Sequence, residues 1–365
     1  MRVYYRNIVF SDHELTRGLK YKDIFQLKPM CFERAPNSNM LRIFPLLIEY
    51  WIESIDSTEI ENHGSNRLTG PLLELSIQSS KVHELLDLLT SITNYNFFWY
   101  GGNNFEWYIP VPENRSEVNN NSRSTVGWGI YYYPEMSNDL RITEFSGQDY
   151  SNVTLINDYY YFTHFDKFKN IVFPVSYRSF LDIYFELSEP TKTKIKAVIK
   201  LIKHGIETFS KFKSLSFLSF ISAIETLVDE EYRDENKKIV FRCDKCKSLK
   251  ESPFKCETCG QPILAIGFKF KEFLKNYISP SPGSVTKYSK IYNLRCKIAH
   301  SGSLLLGDNN LNVWDKPEKS EKEYITHLET MQLSRLSLFN WILNKQNLRL
   351  QLASNFKPRI QNGIS

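Results

Sequence analysis

No apolar run in this chain approaches the roughly 18 residues that a membrane-spanning helix requires, so a membrane-embedded protein is not expected. The N-terminus, MRVYYRNIVFSDHE, lacks the apolar segment and small-residue cleavage site of a secretory signal, and carries charge at Arg2, Arg6 and Asp12. A cytoplasmic location is therefore expected. The excess of charge of one sign is small as well: the net charge is +5, which permits a nucleic-acid partner without demanding one. Repeats at a solenoid period and low-complexity tracts are absent. What remains is an ordinary globular composition, 42% hydrophobic and 24% charged over 365 residues. A single core rarely grows past about 250–300 residues, so two domains are expected.

The halves differ in character. Aromatic residues make up 14% of the chain, and four of the six Trp fall before residue 130. LLELSIQ (72–78), NFFWYGG (96–102), FEWYIPV (105–111) and GWGIYYYP (127–134) are short, rich in aromatic or β-branched residues and bounded by Gly, Pro or Asn, the pattern of strands. One helix interrupts them at 80–92, where Val82, Leu85, Leu86 and Leu89 share a face. PENRSEVNNNSRST (112–125) is polar and aperiodic and reads as a loop. Residues 1–174 are thus expected to form an aromatic-rich α+β domain.

After Phe173-Pro174 the pattern turns helical. Ser188 is a candidate N-cap, with Pro190 in the first turn and an apolar face of Ile195, Val198, Ile199, Ile202, Ile206 and Phe209. A second helix at 214–231 presents Phe217, Ile221, Ile224 and Val228; others are expected near 264–278, 286–299 and 321–345, the last with Leu328, Met331, Leu338 and Ile342. Residues 175–350 then form an all-α bundle, and 351–365 a tail.

Inside the bundle, residues 237–262 break the helical pattern. Cys243, Cys246, Cys256 and Cys259 follow the spacing C-x2-C, nine residues, C-x2-C, with Gly260 after the second pair. Two such turns can close a tetrahedral site of four thiolates, for which zinc is the default ion and whose role is structural, since no ligand position is left open. An iron–sulfur cluster or a redox pair are the competing readings. Lys237–Gly260 holds seven Lys or Arg against three acids. Four thiolates on Zn2+ leave two negative charges, which cuts that excess to about two. Of the remaining cysteines, Cys31 and Cys296, neither finds a histidine at nucleophile spacing, and Cys296 reads as a small apolar filler.

Lys192, Lys196, Lys200 and Lys203 recur at about one-turn spacing, opposite the apolar face of their helix. Such a stripe is first a solvated face; it is also where phosphates could be steered if RNA binds. Arg295 and His300 lie in YNLRCKIAHSG (292–302), flanked by Asn293 and Lys297. Basic residues near a helix end satisfy last-turn carbonyls, and Ser301-Gly302 terminates the helix. The same residue types suit RNA cleavage without a metal. Histidine can take or give the 2'-hydroxyl proton near neutral pH, while arginine holds phosphate oxygens and the charge that grows on them. On an ideal helix residues five apart point about 140° away from each other, so the two converge only at a helix end or between two copies of the chain.

IYNLRCKIAHSGSLL (291–305), with FLSFISAIETLVDEE (217–231) upstream, resembles the R-x4-H signature of HEPN domains, most of all the ApeA-like group. The resemblance covers roughly residues 176–345, with the cysteine-rich segment as an insertion, and leaves the N-terminal half unassigned. It implies a helical bundle that dimerises and acts as a metal-independent endoribonuclease in bacterial antiviral defence or as a toxin. Arg295 and His300 would line a cleft between protomers, leaving 2',3'-cyclic phosphate ends, and Glu225 would orient Arg295. Where the family often places a polar residue after the arginine, this chain has Cys296. RNA, a second copy of the chain and a phage-derived or antitoxin trigger are the implied partners. Structural Zn2+ is the expected cofactor, with no catalytic metal. The N-terminal domain would sense the trigger or select the RNA. Two other functions fit the sequence: a non-catalytic dimerisation or nucleotide-binding sensor, and a zinc-containing nucleic-acid-binding regulator.

Overall fold

The computed structural model describes residues 1–30, 44–54, 61–63, 66–68, 70–99, 106–108, 125–127, 140–146, 153–157, 170–233, 241–242, 246–250, 265–308 and 317–344. The chain divides into two units, Met1–Val175 and Ser176–Ser365. An antiparallel sheet dominates the first, and helices make the second.

The sheet is built from β1 (Arg2–Ser11), β2 (Leu19–Tyr21), β3 (Phe25–Pro29) and β4 (Phe44–Glu53). β1 pairs with β4 over its whole length, Arg2 opposite Glu53 and Ser11 opposite Phe44. β3 lies on the other side of β4, and β2 beyond it. Arg141–Ile142 and Phe97–Phe98 also pair with β1. Ile8, Val9 and Phe10 are all buried, so adjacent residues that point to opposite faces both find cover. These strands are apolar, β-branched and aromatic, as strand propensity requires, yet the four strand-like stretches at 72–134 do not include them.

LLELSIQ is not a strand. A single helix, α1, runs from Gly70 to Thr93. Leu73, Gln78, Val82, Leu85, Leu86 and Leu89 are buried while Leu72 and Leu75 are exposed, which is the helical period extended one turn after another upstream of 80. Burial of one helical stripe overrides the local alternation of Leu73, Leu75 and Ile77. At the other end Thr93 donates its hydroxyl to the Leu89 carbonyl at 2.6 Å, and Asn94 takes a left-handed conformation (φ +69°) that stops the helix. Among the described residues, the aromatic stretches at 96–134 contribute Phe97–Phe98 and a short antiparallel pair, Glu106–Tyr108 with Thr125–Gly127. Tyr100–Gly102, the polar stretch 112–124 and 128–134 lie outside the described residues.

The second unit contains α2 (Tyr177–Glu186), α3 (Glu189–Thr208), α4 (Lys213–Glu231), α5 (Ala265–Tyr277), α6 (Pro282–Ser301), a 3-10 turn (Leu306–Asp308) and α7 (Pro317–Asn344). The short α2, not anticipated from the sequence, packs on α7 through Phe180 and Phe339, whose rings are 4.5 Å apart. α3 opens at Ser188 with Pro190 in its first turn, and buries Ile195, Val198, Ile199 and Ile202. α4 is the central element: α3, α5, α6 and α7 all pack on it. Gly205 makes its approach to α3 possible, because a Cβ there would sit 2.4 Å from the Phe220 ring. Across this seam His327 of α7 is buried. Its Nε2 donates to Ser216 Oγ at 2.8 Å, and that hydroxyl donates to the Gly205 carbonyl at 2.6 Å. Among the described residues, no helix is long and apolar enough to cross a membrane.

Candidate active site

α6 starts at Ser281, whose hydroxyl accepts from the Ser284 N–H at 3.3 Å, followed by Pro282, where a missing N–H costs nothing. Its buried residues are Tyr288, Ile291 and Ile298. Arg295 falls in the same stripe, three residues before Ile298 and four after Ile291, so its side chain leaves the helix toward the bundle rather than toward solvent. A guanidinium placed there needs a partner. Glu225, on α4 between the core residues Ile224 and Leu227, supplies it.

The pair meets side-on, with Arg295 Nη2 donating to Glu225 Oε2 at 3.3 Å and Nε 3.2 Å from Oε1. The second contact is an ion pair by distance but not an aligned hydrogen bond. The two side chains keep 24% and 20% of their exposure, so the carboxylate anchors the inner edge of the guanidinium and leaves the outer edge accessible. Burial works against the arginine's charge, but the Glu225 carboxylate outweighs it and holds the guanidinium above its ordinary pKa.

Arg295 Nη1 lies 3.1 Å from His300 Nε2. Arginine has no acceptor, so in this contact Nη1 donates and Nε2 carries the lone pair, which puts the ring proton on Nδ1. The two residues five apart converge within one chain. They do so because the helix ends there: Gly302 turns left-handed (φ +64°) and returns its N–H to the Lys297 carbonyl, which also accepts from the Ser301 hydroxyl at 2.6 Å. His300, Lys297 and Asn293 are exposed and Cys296 is half-buried.

The segment after the helix is fixed to two others. The Leu305 N–H donates to Ser214 Oγ at 2.8 Å and the Leu306 N–H to Glu323 Oε2 at 2.7 Å. Asp308 accepts from the N–H groups of Lys213 and Ser214, at 2.6 and 2.8 Å, and so caps α4 from 94 and 95 residues away. No sequence signal marks Asp308, because its partners are distant in the chain.

The lysine stripe on α3 is not uniform. Lys196 and Lys200 are exposed, and Lys192 is half-buried with Nζ 5.6 Å from the rings of Tyr184 and Phe185. Lys203 departs from the solvated face altogether: it is buried, with Nζ 3.8 Å from Glu207. One turn beyond Ile199 and beside Ile202, its stem follows the apolar stripe and only its ammonium finds a carboxylate.

Of the four paired cysteines only Cys246 is described; Cys243, Cys256 and Cys259 lie outside the described residues. Phe241–Arg242 and Leu249–Lys250 form an antiparallel ribbon that brackets the first C-x2-C pair, with Phe241 opposite Lys250. Cys246 lies in its turn and Lys247 next to it is left-handed (φ +60°). A left-handed residue directly after Cys246 fits the turn that a C-x2-C pair makes around one ion. Among the described residues no group of three metal-ligating side chains comes together.

Comparisons with family models, with curated proteins and with solved structures find no match.

Proposed function

We propose that the protein is a HEPN-type, metal-independent endoribonuclease whose site is Arg295, His300 and Glu225. One observation carries the reading: the Glu225–Arg295–His300 chain of contacts at 3.3 and 3.1 Å, at the exposed end of α6. In the reaction a scissile phosphate takes the place of His300 at Arg295 Nη1. This frees Nε2 to remove the 2'-hydroxyl proton while Glu225 keeps the guanidinium in place. The 2'-oxygen attacks phosphorus, the bond to the 5'-oxygen breaks, and that oxygen takes a proton from an imidazolium, leaving a 2',3'-cyclic phosphate and a 5'-hydroxyl. A second copy of the chain would bring the second histidine, so the working unit in this reading is a homodimer. Zinc, held by Cys243, Cys246, Cys256 and Cys259, would brace the inserted ribbon and take no part in the chemistry. A cytoplasmic location and release by a phage-derived or antitoxin partner complete the reading.

The test is cleavage of total RNA by purified protein in excess EDTA, beside Arg295→Ala and His300→Ala. Wild type is expected to leave cyclic-phosphate ends, and each variant to lose at least about a hundredfold in rate, the scale of a general acid–base or electrostatic contribution. The same RNA pattern from all three proteins, together with no His300-dependent toxicity in cells, defeats the reading.

A further inference from the structure

Tyr292 stands one turn before Arg295 on α6. Its ring is held from the side by Phe270 of α5, at 5.2 Å between centroids and tilted by 47°. Gly267 lies against it: a Cβ there would come within 2.9 Å of the Tyr292 ring, so the glycine leaves the space that the ring occupies. The ring is therefore a fixed post, not a swinging one. Its phenol sits in the field of Glu225, Arg295 and Cys296, and burial first, then Glu225, raise its pKa above the ordinary value. The hydroxyl is thus a protonated donor throughout the physiological range. Among the described residues it makes no hydrogen bond, although Tyr292 is only half-buried.

We propose that Tyr292 is a phosphate-contacting residue of this site, its hydroxyl donating to a non-bridging oxygen of the phosphodiester that Arg295 holds. The substrate class rests on the ribonuclease reading. A packed phenol and an anchored guanidinium on one helix face would give a phosphate two donors at a fixed separation, which positions phosphorus for in-line attack by the 2'-oxygen. Stacking on a nucleobase is the less suitable role, because Phe270 and Gly267 already take up the ring.

Tyr292→Phe separates a phosphate contact from a mere support for Arg295, since it keeps the ring and its packing and removes only the hydroxyl. The probe is a fluorescent 2'-O-methyl oligoribonucleotide, which presents phosphodiesters but has no free 2'-hydroxyl to attack. By anisotropy, Y292F is expected to bind about tenfold more weakly than wild type, the scale of one hydrogen bond to a charged group, with an unchanged melting temperature. Binding by Y292F equal to wild type, or no binding by wild type, overturns the proposal. Cleavage of unmodified RNA by wild type is read separately. Loss of binding in Y292F without any cleavage by wild type removes the ribonuclease and keeps the contact; cleavage with equal binding removes the contact and keeps the ribonuclease.

Discussion

Arg295 has two neighbours with opposite demands: Glu225 fixes it, and His300 shares it. A guanidinium in the core-facing stripe of α6 loses solvation, and the carboxylate compensates. Because both groups stay partly exposed, Glu225→Ala should cost only about 1 kcal/mol in urea unfolding, well short of a fully buried pair. Its effect on catalysis should be larger, about tenfold or more in initial rate, because an unanchored guanidinium no longer presents one edge to phosphate. Glu225→Gln, which can still accept one hydrogen bond, should fall between. Wild-type rates in E225A would show that the ion pair is only structural. This pair was legible from sequence: Glu225 beside the apolar residues of one helix and Arg295 in the resembling motif each require a partner. Lys203 was not, since spacing alone puts it with its exposed neighbours, while its burial depends on what α3 packs against. Tyr292 was hidden for the same reason: its meaning comes from Gly267 and Phe270 on another helix.

At the scale of elements, the helices of the second unit after α2 were readable because each buries a stripe at helical spacing, and Ser188, Pro190, Ser301 and Gly302 mark real ends. α1 was half-read: alternating Leu and Ile at its start mimic a strand, and only packing decides. The N-terminal sheet was under-read because β1 and β4 pair across more than thirty residues, and pairing leaves no local mark. Long-range capping behaves alike. Asp308→Ala removes the acceptor for two first-turn N–H groups of α4 and should destabilise the protein by about 1–2 kcal/mol in denaturant titration, with Asp308→Asn less harmful; no change would show that solvent replaces the cap. The α3–α4–α7 seam has its own signature. Burial first, then Lys213, pushes the His327 imidazole down to about 4, against the weaker pull of Asp308. A depressed histidine favours the neutral form in the fold, so its contribution is complete above the unfolded value near 6.5 and is lost as pH falls from there toward 4. The loss is on the order of 3 kcal/mol if the seam stays closed. Melting curves should drop steeply over that window in wild type and less so in His327→Gln, which can keep the hydrogen bond to Ser216. Parallel pH dependence in the two proteins would assign the acid sensitivity to other groups.

Over the whole molecule, the two units follow from chain length and from the change of pattern after Phe173-Pro174, and the division falls at Val175–Ser176. Their chemistry is unequally distributed: the arginine, histidine and glutamate of the candidate site, and all four paired cysteines, belong to the second. Two carboxylates described in the N-terminal unit serve its structure. Glu49, buried in β4, accepts from Gln26 and from the N–H and hydroxyl of Ser146, the former at 3.0 Å. Glu74 of α1 accepts from Tyr5 and from Arg141 at 2.6 Å, and these bonds hold its carboxyl below the usual range. The segment that joins α4 to α5 has too few residues to bury a core of its own, and metal is the usual substitute at that size. Protein purified without chelator should therefore carry about one zinc per chain by elemental analysis, and Cys246→Ser or Cys259→Ser should reduce it to near zero. A visible charge-transfer absorption with iron in place of zinc would assign the site to an iron–sulfur cluster. No metal in wild type, with all four thiols freely reactive toward a thiol reagent, would remove the site altogether. Loss of zinc should lower the melting temperature while leaving RNA cleavage in EDTA intact for as long as the bundle stays folded, because no thiolate belongs to the Glu225–Arg295–His300 chain. Activity that disappears with the metal and returns with added zinc, without any change in melting, would make the ion part of the chemistry and refute the metal-independent mechanism.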